Sequence, residues 1–581
     1  MLWKDRPSKE MIYLGIITGV AILIRALPMY LHAAWGVDFG IYLGLTNSFV
    51  ETNQLIAAYD GWGSSYNYFP ILYTMAAGIH TISGLSIVQS LSVVAPIIGG
   101  LTVTVFYFTT KELTKDKKIA LIAAGLLATT TFHIYQTSHA APLVMGHFFM
   151  MLSFYFLIRF IKGKSAMIPL LGTSALLILS HHFTTYFYII SATAIILTTI
   201  ANKKTEKKAA HQYILYAVLV SGMAFGYWRY VAIPVYDHFM NGHLFLSSIQ
   251  VVLVYYLGLF IGYIMCRKVR RIRDSITKSK PEKEPQIEKR VAIYFCIMLV
   301  IALGLMIFGI PGTHIPFNAI TVIISIPLFI VLSFGIIGFS MLKRKAQGLI
   351  VFPWLLAVIG SLVYSVTFQE LFPDRHLEYL IVPLCIAAAI AMHHYVVDTS
   401  SDKLKKIKKI SIKQYSFHLT TQQLRWMAII VVLLSNAIVA YPTIDSLDMV
   451  DESISNSDIA AMEWMQENLD NETSIITSDH RLAVLSWAYG FNMSFEEVNH
   501  TWEANTTEEM MHELDALKTT HVIIDDVMVD TVVNVKVGDY DFMTNKSYDK
   551  FKENPFTLLY RNATYGHDGQ IEHWAEIYAY S

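Results

Sequence analysis

Runs of about twenty apolar residues return through the first 440 positions of this 581-residue chain, and no other feature limits its fold so severely. A bilayer's hydrocarbon core is ~30 Å thick and offers no water to backbone N–H and C=O groups, so only a helix of ~20 residues satisfies such a run. Thirteen spans are predicted: 11–33, 86–109, 119–136, 141–160, 166–182, 184–201, 213–235, 246–265, 291–310, 318–341, 348–367, 377–397 and 425–441. Charged residues make up 15% of the chain, against ~25% in soluble proteins, which excludes a soluble multidomain enzyme.

Charge then assigns sides. Basic residues fill alternate loops: Lys111 to Lys118, Arg159 to Lys164, Lys203 to Lys208, Arg267 to Arg290, Lys343 to Lys345 and Lys403 to Lys413. The intervening loops are nearly free of Lys and Arg, and the positive-inside rule places the basic set in the cytoplasm. An odd number of spans sends the C-terminal tail to the opposite face. The N-terminus MLWKDRPSKE precedes an apolar run without an evident cleavage site, so it is expected to be a retained first span with a cytoplasmic start.

The tail, 442–581, is a different kind of sequence. Residues 441–581 carry 27 acidic and 7 basic side chains, and the remainder of the chain 18 and 37. The two halves therefore face different environments. Cys266, Cys296 and Cys385 all precede the tail, so it must build an ordinary core without disulfides. Helices are expected at Asp458 to Glu467 and Thr507 to Leu517, buried strands at Ser474 to Thr477 and His521 to Ile524, and a closing hairpin from Thr557 to Tyr560 and Ile571 to Tyr580. The domain expectation is a transmembrane region 1–441 with a long first outer loop, 34–85, and a small extracytoplasmic α/β domain, 442–581. N-x-S/T sequons at Asn471, Asn492, Asn499, Asn505, Asn545 and Asn562 all fall in the tail, either as glycan acceptors or as a chance product of Asn-rich sequence.

Ionisable groups near a bilayer are costly, so those on the outer side are functional candidates. Asp38 follows the first span closely and precedes a loop whose Trp62, Tyr66, Tyr68 and Phe69 suit the headgroup level. A carboxylate there can take a proton from a hydroxyl, or be an exposed loop acid. At the mouth of span twelve, QELFPDRHLEYL gathers Glu370, Asp374, Arg375, His376 and Glu378. Arg375 is the sole Lys or Arg in a predicted outer loop of the membrane half, and its planar fork matches phosphate oxygens, unless it pairs with Asp374 or Glu370. Arg229, at the outer end of span seven, is a second cation, and Arg25 in span one is expected to meet a buried acid or carbonyl. The outer-side histidines, His133, His139, His181, His182, His238, His243 and His314, match no zinc spacing.

These residues carry a resemblance. IRALPMYLHAAWGVDFGIYL, NYFPILYTMAAGIHTISGLS and DRHLEYLIVPLCIAAAIA resemble the corresponding stretches of the GT-C membrane glycosyltransferases, which take sugars from polyprenyl-phosphate or polyprenyl-diphosphate carriers. The resemblance implies an α-helical polytopic membrane fold of about 13 spans, Asp38 as catalytic base, and Arg375 with Arg229 as the phosphate-binding cations. Spans and tail together look like the catalytic subunit of oligosaccharyltransferase, with two departures. Such enzymes hold the acceptor with a Trp-Trp-Asp-x-Gly type motif, whereas the nearest stretch here, SWAYGF, has Trp487, Tyr489 and Gly490 but no Asp. They also bind a divalent cation through acids of the second outer loop, whereas no Asp or Glu lies between Asp116 and Glu206.

A metal-independent, inverting transferase is therefore expected, with no cofactor, unless oligosaccharyltransferase-like chemistry brings a divalent cation. Its implied partners are a polyprenyl-phosphate-linked sugar, a glycan, lipid or protein acceptor, and membrane lipid, with no nucleic acid. The expected location is an archaeal plasma membrane, the tail outside, in envelope or protein glycosylation. A transporter and a non-enzymatic envelope scaffold are the rival classes; no internal repeat supports the first, and the second leaves Asp38 and Arg375 without a role.

Overall fold

In a computed structural model, the chain is described over residues 8–580 except 60, 203–204, 242–244, 270–285, 310–317, 344, 398–407, 413–414, 442–449, 495–497, 505, 537–538 and 567–568. The apolar runs are helices. Among the described residues eight are long and apolar enough to cross a membrane, including Ile87–Thr114, Pro142–Ile161, His182–Ile200, Ile287–Phe308, Ala319–Leu342 and Gly348–Phe368. The other predicted spans are also helical, but shorter or more polar, such as Met167–Ile178, Lys117–Thr129 and Lys207–Tyr230. The first span breaks at Ala26, between helices Lys9–Arg25 and Leu27–Leu31.

Two compact units emerge. The first comprises Met1–Ile24, Gly99–Gln136 and Gly146–Pro442, the second Arg25–Ile98, Thr137–Met145 and Thr443–Ser581. The loop 34–85 thus clusters with the tail residues.

Small residues let the helices of the first unit approach closely, as packing in lipid requires. A Cβ on Gly338 would lie 1.8 Å from the Ala387 carbonyl oxygen, and one on Gly335 2.3 Å from Leu384 Cδ1, so Ala319–Leu342 and His376–Val397 meet nearly backbone to backbone. The run Cys385 to Met392 on the latter helix is buried throughout. By contrast, Ser248–Lys268 and Ile287–Phe308 leave nearly all of their apolar surface uncovered, as lipid-facing helices do.

The second unit holds a five-stranded sheet in the order Phe556–Tyr565, Ile571–Tyr580, His521–Asp525, Ile475–Thr477 and Asn492–Met493. The first two pairings, Phe556–Tyr565 with Ile571–Tyr580 and Ile571–Tyr580 with His521–Asp525, are antiparallel, and the remaining two are parallel. Ile476, Ile523, Ile524 and Ile577 are buried, the consecutive Ile523 and Ile524 on opposite faces of the sheet, as are Met462 and Met465 of helix Asn456–Asn468 and Leu482 and Leu485 of helix His480–Ala488. The predicted tail helices, buried strands and closing hairpin are all present; helix His480–Ala488 and strand Asn492–Met493 are additions.

A buried ionic cluster fixes that extra helix. Arg481, fully buried, donates from Nε to Asp479 Oδ2 at 2.9 Å, from Nη2 to Asp525 Oδ2 at 2.9 Å and from Nη1 to the Ser453 carbonyl. Asp458 lies nearby and closes a capping box with Ser455, whose N–H donates to Asp458 Oδ2 at 2.7 Å. Its Oδ1 has no hydrogen-bond partner among the described residues. Burial outweighs the attraction of Arg481 and pushes the Asp458 carboxyl up to about 6. A carboxyl raised on folding stabilises the fold fully below its unfolded value of 3.8 and loses that contribution as pH rises through about 6. The melting temperature of the purified chain, followed by tryptophan fluorescence, is therefore expected to be about 2–3 °C higher at pH 5.5 than at pH 7.5. Asp458→Asn should flatten that difference.

Candidate active site

Asp38 is positioned by backbone before its side chain makes any contact. Strand Ala34–Trp35 pairs antiparallel with Ser453–Ile454, and the Gly36 N–H donates to the Glu452 carbonyl at 2.9 Å. Gly36 then turns with a φ of 123°, a conformation that favours glycine, and the Phe39 N–H closes the turn on its carbonyl at 3.0 Å. Asp38 is left at the N-cap of helix Phe39–Thr52 without capping it. The carboxylate sits at a helix N-terminus, where the backbone dipole favours negative charge, and both its oxygens face other partners.

One partner comes from the first loop. Residues Tyr66–Tyr68 form a short 3-10 turn, and Tyr66 donates its hydroxyl to Asp38 Oδ2 at 3.1 Å. Tyr68 ends the same turn and is half-buried. Tyr42 packs its ring 5.3 Å from Tyr66, and burial beside Tyr66 and Asp38 pushes its phenol well above the ordinary value, so it stays neutral.

The other partner comes from the tail. His480 Nε2 lies 3.1 Å from Asp38 Oδ1, with side-chain exposures of 8% for the imidazole and 14% for the carboxylate, which leaves solvent a narrow approach. Trp62 meets the His480 ring edge-on at 5.0 Å. Two glycines make the approach possible. A Cβ on Gly40 would fall 2.4 Å from the backbone of Val484 and Leu485, and one on Gly44 2.2 Å from the Trp487 ring, so helices Phe39–Thr52 and His480–Ala488 touch at their backbones. The sequence reading placed no site residue in the tail and took SWAYGF as its point of interest. The residue that reaches Asp38 lies seven positions before Trp487, just after strand Ile475–Thr477. The signal was local: Asp479 caps a helix that begins at His480.

Alongside this group, His139 of the loop 137–145 stacks on Trp35 with centroids 4.1 Å apart and bonds Glu452 at 2.6 Å. Arg25 is buried and its Nε donates to the Thr137 hydroxyl at 2.7 Å.

In the first unit, the five residues of the 370–378 cluster each have identified contacts. Arg375 ends the turn Pro373–Arg375, donates from Nη1 to Gln136 at 2.7 Å and lies 3.9 Å from Asp374, both side chains nearly half exposed. Glu370 accepts from the Tyr364 hydroxyl. His376 is buried and bonds the Ser361 hydroxyl at 2.8 Å. Glu378, also buried, pairs with His147 at 3.0 Å, and His147 stacks on Tyr379 with centroids 5.1 Å apart. Arg229 is exposed, its guanidinium over the rings of Tyr230 and Tyr236 at 5.9 and 5.3 Å. The sequence missed the Glu378–His147 pair because its members lie 231 positions apart.

Asp38 is engaged by Tyr66 and His480, the loop 137–145 brings His139 but no acid, and no group of three His, Cys, Asp or Glu among the described residues is arranged to hold a metal ion. Of the sequons, Asn492 lies exposed on the edge strand and Asn545 exposed at the start of helix Asn545–Lys550. Asn471 and Asn562 are half-buried, Asn499 begins helix Asn499–Glu503, and Asn505, like His243 and His314, lies outside the described residues.

No sequence-family profile matches the chain, and no curated protein does. Solved structures do. An archaeal oligosaccharyltransferase from Archaeoglobus fulgidus, AglB, in complex with an inhibitory peptide and a dolichol-phosphate, aligns over 99% of this chain and 74% of its own, with a TM-score of 0.55 at 14% identity. The Archaeoglobus fulgidus oligosaccharyltransferase with zinc and sulfate aligns over 97% and 72%, with a TM-score of 0.54 at 15% identity. The mycobacterial arabinofuranosyltransferase AftD aligns over 98% of this chain but 40% of its own, with a TM-score of 0.52 at 12% identity. Nearly the whole of this chain follows the backbone of these membrane glycosyltransferases over part of their length, and the chain is an α-helical polytopic membrane protein with the GT-C fold.

Proposed function

We propose that this chain is an integral membrane glycosyltransferase that moves a sugar from a polyprenyl phosphate to an acceptor hydroxyl on the outer face of the membrane, with inversion at the anomeric carbon. The observation that carries this reading is Asp38, a shielded carboxylate at a helix N-terminus, positioned by a glycine turn and a strand pairing, in a chain with the GT-C fold. Asp38 takes the acceptor's proton as its oxygen attacks the anomeric carbon. The bond from that carbon to the phosphate oxygen breaks, and the electron pair leaves with the lipid phosphate. Arg375, with Arg229, neutralises the charge that develops there. The donor is already activated, so the protein's work is placement and charge, and the chemistry is assigned without a metal ion.

The likeness to an oligosaccharyltransferase solved with an inhibitory peptide favours a second reading, in which a lipid-linked glycan is transferred to protein. The location proposed with either reading is the plasma membrane, N-terminus in the cytoplasm and tail outside, in an archaeon. The test is to reconstitute the chain in vesicles with radiolabelled dolichyl- and undecaprenyl-phosphate hexoses and pentoses, and with a lipid-diphosphate glycan and an Asn-x-Thr peptide. Release of free lipid phosphate with label moved to an acceptor is expected. Label on the peptide favours the second reading, label taken up unchanged makes the chain a carrier, and no turnover leaves a scaffold.

A further inference from the structure

The geometry around Asp38 assigns a task to the tail. Asp38 is largely shielded, and its oxygens are taken by a phenol and an imidazole, so a proton collected there needs a way out before the next turnover. Tyr66 donates to the carboxylate and cannot take a second proton at neutral pH. His480 can, because an imidazole nitrogen without hydrogen accepts one near neutrality. We propose that His480 holds and exports the proton that Asp38 removes from the acceptor, which makes the C-terminal tail part of the catalytic apparatus. This rests on the reading of Asp38 as the base.

The step balances. The acceptor O–H loses its proton to Asp38 as the new glycosidic bond forms and the lipid phosphate departs with the electron pair. The proton then crosses the 3.1 Å from Asp38 Oδ1 to His480 Nε2, giving imidazolium and restoring the carboxylate. Imidazolium then releases one proton to water, and exchange of the remaining hydrogen through water leaves the neutral ring protonated on Nδ1, with Nε2 bare for the next turnover. The surroundings keep this path specific. The nearest charged neighbours in sequence, Asp479 and Arg481, are fully buried and bound to each other, and Arg481 also to Asp525, leaving Asp38 as the ion-pair partner of the imidazole among the described residues. Trp62 holds the ring from its edge and Gly40 and Gly44 hold the helix that carries it. His480 acts through Asp38, so it is a positioning and proton-holding residue.

The competing role is hydrogen-bond donation alone, and two variants separate them. Glutamine at 480 keeps an N–H to aim at Asp38 but cannot take a proton. With a donor from the vesicle panel that the wild-type chain turns over, His480→Gln is expected to lower kcat by about 30- to 100-fold and leave KM within about threefold, with the melting temperature unchanged. His480→Ala is expected to regain at least about tenfold in rate when imidazole is added, and Asp38→Asn to regain nothing. The proposal is overturned if His480→Gln keeps more than about a third of wild-type kcat, or if folded His480→Ala does not respond to imidazole. If the wild-type chain transfers sugar and these results fail, Asp38 remains the base and only the proton path is wrong. If wild-type transfers nothing from any donor, both readings fall together.

Discussion

Asp38→Asn is expected to lower sugar transfer by about three orders of magnitude, in the upper part of the range for losing a general base. The substitution is close to isosteric. Its amide oxygen still accepts from Tyr66, and the strand pairing of Ala34–Trp35 and the turn at Gly36 do not involve the side chain. The fold around position 38 should therefore survive, with a melting temperature within a few degrees of wild type. What is lost is the capacity to take a proton. The transfer assay with the best donor of the panel measures it, and a variant retaining a tenth or more of wild-type kcat would remove Asp38 from the mechanism.

Arg375→Ala carries the second large effect. The guanidinium is 45% exposed, bonds Gln136 and lies at the long limit of an ion pair with Asp374, so removing it should cost little stability. If it neutralises the departing phosphate, kcat/KM should fall by about 10²- to 10³-fold, the cost of losing one preorganised charge-stabilising donor. Arg375→Lys should recover only part of that loss, because a point charge cannot reproduce the planar fork. Asp374→Asn separates this from a purely structural ion pair: it should change kcat/KM by no more than about threefold, whereas equal losses at 374 and 375 would mean that the pair serves the turn Pro373–Arg375 and not the phosphate.

The membrane half was legible because each span is a local feature. An apolar run of ~20 residues has one solution in lipid, whatever the rest of the chain does. The tail's closing hairpin, Phe556–Tyr565 with Ile571–Tyr580, lies where the sequence alternation predicts it, although Ala575 to Tyr578 are buried consecutively and not on one face alone. What could not be read was contact between distant segments. Gly40 and Gly44 look in sequence like ordinary helix glycines, and only the backbone of Val484 and Leu485 explains them. His480 is one of six histidines in an acidic tail and looks in sequence like any solvated side chain until its 442-residue separation from Asp38 is closed. At 370–378 the sequence shows which ionisable residues are neighbours but not the partner that each one takes. Five ionisable residues within nine positions suggest a cluster, but the short turn and the helix His376–Val397 point Glu370, His376 and Glu378 to Tyr364, Ser361 and His147.

The central claim is that an acceptor oxygen, deprotonated at Asp38, displaces a lipid phosphate from an anomeric carbon. The most direct measurement is the NMR anomeric configuration of the product made from a ¹³C-labelled polyprenyl-phosphate sugar of known configuration, with released lipid phosphate quantified in the same sample. One free lipid phosphate for each sugar transferred, with the anomeric centre inverted, is the expected result. Retained configuration, or lipid phosphate released without transfer to any acceptor, would contradict it.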